Sequence, residues 1–188
     1  ETTLDPTATA SADSTAGPDD TGEPLPPPPA TGIQIVDVTA DQGIRIPVAR
    51  EGAYVDPSER NATVLQSRAT VIRGFYATDP GFVARTIYGV LWLDRPDGTS
   101  TRYEAFVSAS EPDCSTAPSL YECRYGDPDG ALLWRVEGED IVPGAQYRIE
   151  LYETAPGHED DPSDAIPIFP TDGSAMALGV ADSYMKMR

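Results

Sequence analysis

Ile141-Val142-Pro143-Gly144-Ala145-Gln146-Tyr147-Arg148-Ile149-Glu150-Leu151 is the stretch on which the fold turns. No strand runs through Pro143-Gly144, because proline lacks an N–H and glycine weakens the pleat. From Tyr147 onward the residues alternate. Tyr147, Ile149 and Leu151 share one face, while Arg148 and Glu150 take the other. That period of two marks a half-buried strand entered through a tight corner.

Working outward, the same grammar recurs. Leu132, Trp134 and Val136 share a face just before the corner, after a turn at Asp127-Pro128-Asp129-Gly130. Arg85 to Leu93 is apolar on both sides and reads as a central strand. Arg95-Pro96-Asp97-Gly98 is a hairpin turn, and Thr101 to Val107 returns with Tyr103, Ala105 and Val107 on one face. Thr70 to Ala77 and Ile33 to Val38 are further strands. Ile44, Ile46 and Val48 alternate inward on another, where Pro47 marks a sheet edge. Ile166-Pro167-Ile168-Phe169 reads as a last strand interrupted by proline, and residues 51–61 as polar loop. With 19 Pro, 16 Gly and no long 3.6-residue apolar stripe, the chain is expected to be all-β. An antiparallel β-sandwich of about seven to nine strands is expected, preceded by a Pro-rich extended tail.

The formal charge is −18. Residues 1–30 carry six acids and no base, which leaves −12 on the remainder. Such a surface repels phosphate backbones and anionic lipid, so nucleic acid is not an expected partner. No window is long and apolar enough to span a membrane. Residues 1–32 are Thr, Ala, Ser, Asp, Gly and Pro, ending in Pro24-Leu25-Pro26-Pro27-Pro28-Pro29. With Leu4 and Leu25 as their only large apolar residues they form a stalk or linker, stiff at the proline run. The sandwich is then expected over 33–180. Residues 181–188 stop in mid-pattern and read as the start of a further segment or as a proteolytic end.

Cys114 and Cys123 bracket a short polar loop in a chain with no other cysteine, and are expected to form a local disulfide. Zinc wants four ligands, and there is no nearby histidine to add to two thiols. A disulfide and a stalk together place the protein outside the cell or on its surface, with a signal segment already removed. Tyr121, Arg124 and Tyr125 flank Cys123 and offer a binding patch for protein or sugar, or brace the disulfide loop. Hard oxygen ligands cluster at Glu159, Asp160, Asp161 and Asp164, with Asp127 and Asp129 in a second loop. Calcium takes six to eight such oxygens, so these six are the candidate calcium ligands, the alternative being solvated charge. No other cofactor is implied. His158 is the only histidine, and no nucleophile motif accompanies it. The chain is therefore not read as an enzyme.

The corner at Pro143, Gly144 and Tyr147 resembles the E–F corner of immunoglobulin-like and fibronectin-type-III-like sandwiches. The resemblance implies that Tyr147 bonds its hydroxyl back to the corner's backbone and that Trp92 is the core tryptophan. Arg68-Ala69-Thr70-Val71-Ile72-Arg73, Ile87 to Leu93 and Met176-Ala177-Leu178-Gly179 are similar to the N-terminal sandwich modules of secreted bacterial metalloprotease-like lipoproteins. In that family a catalytic zinc domain follows the module. Three functions are in view. The first is a non-catalytic extracellular module that mediates protein contacts or positions a downstream domain. The others are a subunit of an extracellular assembly or filament that uses its tail, and a carbohydrate-binding module stabilised by calcium. Protein contact or self-association is the expected partnership.

Overall fold

The computed structural model describes residues 27–111 and 130–181. In chain order the strands are β1 (Ile33–Asp41), β2 (Arg45–Arg50), β3 (Ala53–Tyr54), β4 (Val64–Leu65), β5 (Thr70–Thr78), β6 (Arg85–Asp94), β7 (Ser100–Ala109), β8 (Ala131–Val136), β9 (Gln146–Glu153), β10 (Ile168–Phe169), β11 (Met176–Ala177) and β12 (Val180–Ala181). Two antiparallel sheets pack together. One has the order β3-β2-β1-β5-β8; the other is β10-β9-β6-β7, with β11 also on β9. β12 pairs with β4 in parallel. The count exceeds the expected seven to nine because five of the twelve are two-residue pieces.

The corner behaves as its residues dictate. Ala145 N–H bonds Val142 O at 3.1 Å across Pro143-Gly144, and Gly144 takes φ +80°. This is the third-residue conformation of a type II turn, which glycine adopts without strain. The bend carries the chain from β8 in one sheet to β9 in the other. Along β9, Tyr147, Ile149 and Leu151 are all buried, as the alternation requires. Its fourth inward position is the carboxylate of Glu153. The hairpin after β6 also forms, with Arg95 N–H on Thr99 O at 2.8 Å, and it pairs Asp94 with Ser100.

Five expectations are corrected. Trp92 is not the core tryptophan. It lies half-buried on the outer face of β6, and Trp134 of β8 is the fully buried one. The room for Trp134 comes from glycines on both sheets. A Cβ at Gly89 would sit 2.9 Å from Trp134 Cζ2 and 2.5 Å from Leu132 Cδ2; one at Gly74 would sit 3.0 Å from Trp134 Cζ3. Tyr147 does not bond the corner's backbone; its hydroxyl donates to Met176 Sδ at 3.2 Å, because β11 runs past it. Ile44 precedes β2 and is 53% exposed, so only Ile46 and Val48 point inward. Pro47 is not on an outermost strand, since β3 lies beyond β2. Yet β3 pairs only Ala49 and Arg50, so the segment at Pro47 is left as an edge. Residues 51–61, read as loop, hold β3 and a 3₁₀ turn at Pro57–Glu59.

Candidate functional site

Of the residues singled out from sequence, Cys114, Cys123, Tyr121, Arg124, Tyr125, Asp127 and Asp129 lie outside the described residues. His158 Nδ1 sits 2.9 Å from Asp161 Oδ2 on an exposed loop. Glu159 accepts the Gly157 N–H at 2.7 Å, and backbone hydrogen bonds of this kind hold its carboxyl below its ordinary range. Asp160 and Asp164 are exposed. Among the described residues, no three His, Cys, Asp or Glu side chains gather where a metal ion would bind.

Three other features stand out, and sequence reasoning named none of them. The first is the outer face of the β9-β6-β7 sheet. Register places Tyr88 opposite Phe106 on one side and Tyr152 on the other. The rings of Tyr88 and Phe106 stack at 4.9 Å, and Tyr88 and Tyr152 lie 6.0 Å apart. Pro29 pairs with Tyr152 and extends the row. Four residues along β6, Trp92 lies between Arg102 and Arg148. The Arg148 guanidinium covers the Trp92 ring at 5.0 Å, and Trp92 Nε1 donates to Glu150 Oε2 at 2.9 Å. Tyr152 donates to the same oxygen at 2.7 Å. Partial burial and the Glu150 carboxylate push the Tyr152 hydroxyl up to about 12. Arg102 bonds both Glu104 and the Tyr88 hydroxyl. Phe106 is 64% exposed. Aromatic side chains and arginine are the residues that interface cores favour.

The second feature anchors the incoming chain. Residues 28–31 continue the sheet alongside the end of β9: Glu153 N–H bonds Pro28 O at 2.9 Å, and Ala30 N–H bonds Leu151 O at 2.9 Å. Below them Arg85 meets Glu153 in a two-point contact, Nε to Oε2 at 2.9 Å and Nη2 to Oε1 at 2.8 Å. Arg85 also donates to Thr31 O at 2.7 Å, and Thr31 N–H returns to Glu153 Oε1 at 3.0 Å. Burial alone would raise the Glu153 carboxyl; the hydrogen bonds from Arg85 and Thr31 outweigh it and hold the group below its ordinary value. The sandwich thus takes in residues that composition assigns to the stalk.

The third feature anchors the outgoing chain at the other end of β9. Leu178 N–H bonds Ala145 O at 2.9 Å, and Met176 pairs with Tyr147. Arg60 is buried, and it donates to backbone carbonyls: Val55 O at 3.0 and 2.8 Å, Leu178 O at 2.8 Å and Gly179 O at 3.4 Å. Its guanidinium also lies 5.3 Å from the Tyr54 ring. Burial draws its pKa below the ordinary arginine value.

A signal for the first feature was present, since a hairpin pairing Asp94 with Ser100 also pairs Tyr88 with Phe106. The two anchors join residues more than a hundred positions apart, as Thr31 to Glu153 and Arg60 to Leu178, and leave no local pattern. Compared with protein-family models, curated proteins and solved structures, the chain matches none of them.

Proposed function

We propose that this chain is a non-catalytic module of an extracellular, surface-tethered protein. It serves as a rigid in-line spacer between the segments that flank its sandwich, and it makes protein contacts through the aromatic outer face. One observation carries the reading. The incoming chain is fixed beside Glu153 and the outgoing chain beside Tyr147, at opposite ends of the same eight-residue strand. At about 3.4 Å per residue, those ends stand roughly 24 Å apart. A spacer needs both junctions held and the body between them stiff.

The finer resemblance fits this reading. We read β1, β5 and β8 as strands A, B and E, and β7, β6, β9 and β10 as C′, C, F and G of an immunoglobulin-like sandwich, with β2 and β3 added beyond strand A. The outer face weighs for a protein partner over a sugar. Sugars stack on open ring faces, whereas Tyr88 and Phe106 turn their faces toward each other.

The test is a distance measurement by double electron–electron resonance. Spin labels go on Pro27→Cys and Ala181→Cys, with Cys114 and Cys123 replaced by Ser. In samples diluted with excess unlabelled protein, so that only distances within one chain are read, a single narrow distance is expected, which broadens in Arg85→Met and again in Arg60→Met. A broad distribution in the parent protein would refute the spacer.

A further inference from the structure

The outer edge of β7, with which no strand among the described residues pairs, points to a second copy of this chain as a partner. Natural sheets blunt their edges with short strands, proline, charged side chains, bulges or a covering segment; of these, β7 carries only one pair of opposite charges, Arg102 and Glu104. At the other outer positions β3, β10 and β11 are two residues each, and β8 is six. β7 is different. It is ten residues long, contains no Pro, Gly or Lys, and pairs with β6 through ten successive residues without a register shift. Among the described residues nothing pairs with its outer side. Its outward row is Arg102, Glu104 and Phe106; Arg102 and Glu104 are about half exposed, and they bond each other within one chain.

We propose that two copies pair antiparallel along β7 about a two-fold axis at Tyr103. Charge selects that register. An axis at Glu104 would set Glu104 against Glu104 of the second copy, and like charges directly opposite repel. An axis at Tyr103 sets Arg102 against Glu104 of the second copy, and the symmetry makes the same contact twice. Residues 100–106 then pair with 106–100, and the exposed Phe106 gains a cross-strand neighbour. The two copies run head to tail, so the entry anchor of each lies toward the exit anchor of its mate. Such a pair joins chains presented from opposite directions. The pairing is independent of the spacer reading, because distances within one chain do not report it.

The experiment is sedimentation velocity on the full chain from low micromolar to several hundred micromolar, with circular dichroism to verify folding. Both side chains are on the surface, so their substitution leaves the core untouched. Concentration-dependent dimerisation is expected. Arg102→Glu and Glu104→Arg should each weaken it at least tenfold, since each sets like charges opposite. The double variant Arg102→Glu/Glu104→Arg restores opposite charges and should return to within about threefold of the parent. A monomer at every concentration overturns the proposal. So does a dimer indifferent to the single substitutions, or a double variant that fails to recover.

Discussion

Removing the Arg85 guanidinium should cost more than removing the ion pair as a whole. In Arg85→Met the aliphatic stem still packs on Phe82, over whose ring the guanidinium lies at 4.2 Å. Glu153 is left 1% exposed at its side chain, with only Thr31 to bond it. Breaking a buried pair by deleting one partner typically costs about 3–5 kcal/mol, because a charge is stranded. Against a total stability of about 5–15 kcal/mol, that is a large fraction. In Arg85→Met/Glu153→Leu no charge is stranded. What remains is the Thr31 N–H and carbonyl without partners, about 1–3 kcal/mol for each group that water cannot reach. The double variant should therefore be more stable than Arg85→Met, despite carrying one more substitution. Urea unfolding at pH 7, followed by tryptophan fluorescence, measures four proteins: the parent, Arg85→Met, Glu153→Leu and the double variant. If Arg85→Met loses less than about 1 kcal/mol, or the double variant loses as much as the two singles summed, the anchor does not depend on this pair.

Acid should loosen the same anchor. The Glu153 carboxyl is held below its ordinary value of 4.5, so on acidification the unfolded chain takes up the proton first. The stability it contributes is present above the ordinary carboxylate range and is lost as pH falls through the lower folded value. Between pH 5 and 3, Glu153→Gln should show a shallower loss of stability than the parent; identical slopes would remove Glu153 as a source. In the core, Gly89→Ala should destabilise by about 1–3 kcal/mol through overpacking, since its Cβ would press on Leu132 and Trp134. A thermal midpoint unchanged by Gly89→Ala would mean that the two sheets do not approach there.

The corner was legible because its signals are local and agree. Pro143-Gly144 forces the bend, and Tyr147, Ile149 and Leu151 keep their period for the whole strand that follows. The hairpin at residues 95–98 was legible for the same reason. Trp92 was misread because β6 has large residues on both faces: Tyr88, Val90 and Trp92 against Ile87, Leu91 and Leu93. Alternation says that the two sets part company and not which one goes inside. The decisive residue was Gly89, whose missing side chain makes room for a tryptophan on the opposite sheet. A gap of that kind acquires meaning only once its occupant is known. The tail boundary was missed because residues 28–31 join the sheet chiefly by backbone bonds, to which a proline-rich composition is blind.

The two anchors solve one problem with different chemistry. Each must fix an irregular segment at an end of β9, where no full-length strand completes the sheet. Both do it with a buried arginine, whose planar fork of donors can serve several acceptors from one position. Arg85 has a carboxylate to neutralise it, and so its hold depends on pH. Arg60 bonds the carbonyls of Val55, Leu178 and Gly179 and gains no titratable partner from them. Backbone carbonyls do not take up protons in the range where carboxylates do. The exit junction should thus keep its grip under acid that releases the entry junction, and a chain held at one end only is tethered without being oriented. If the chain is the spacer proposed above, acid should act on its rigidity through Glu153, the single inward position of β9 that is not apolar.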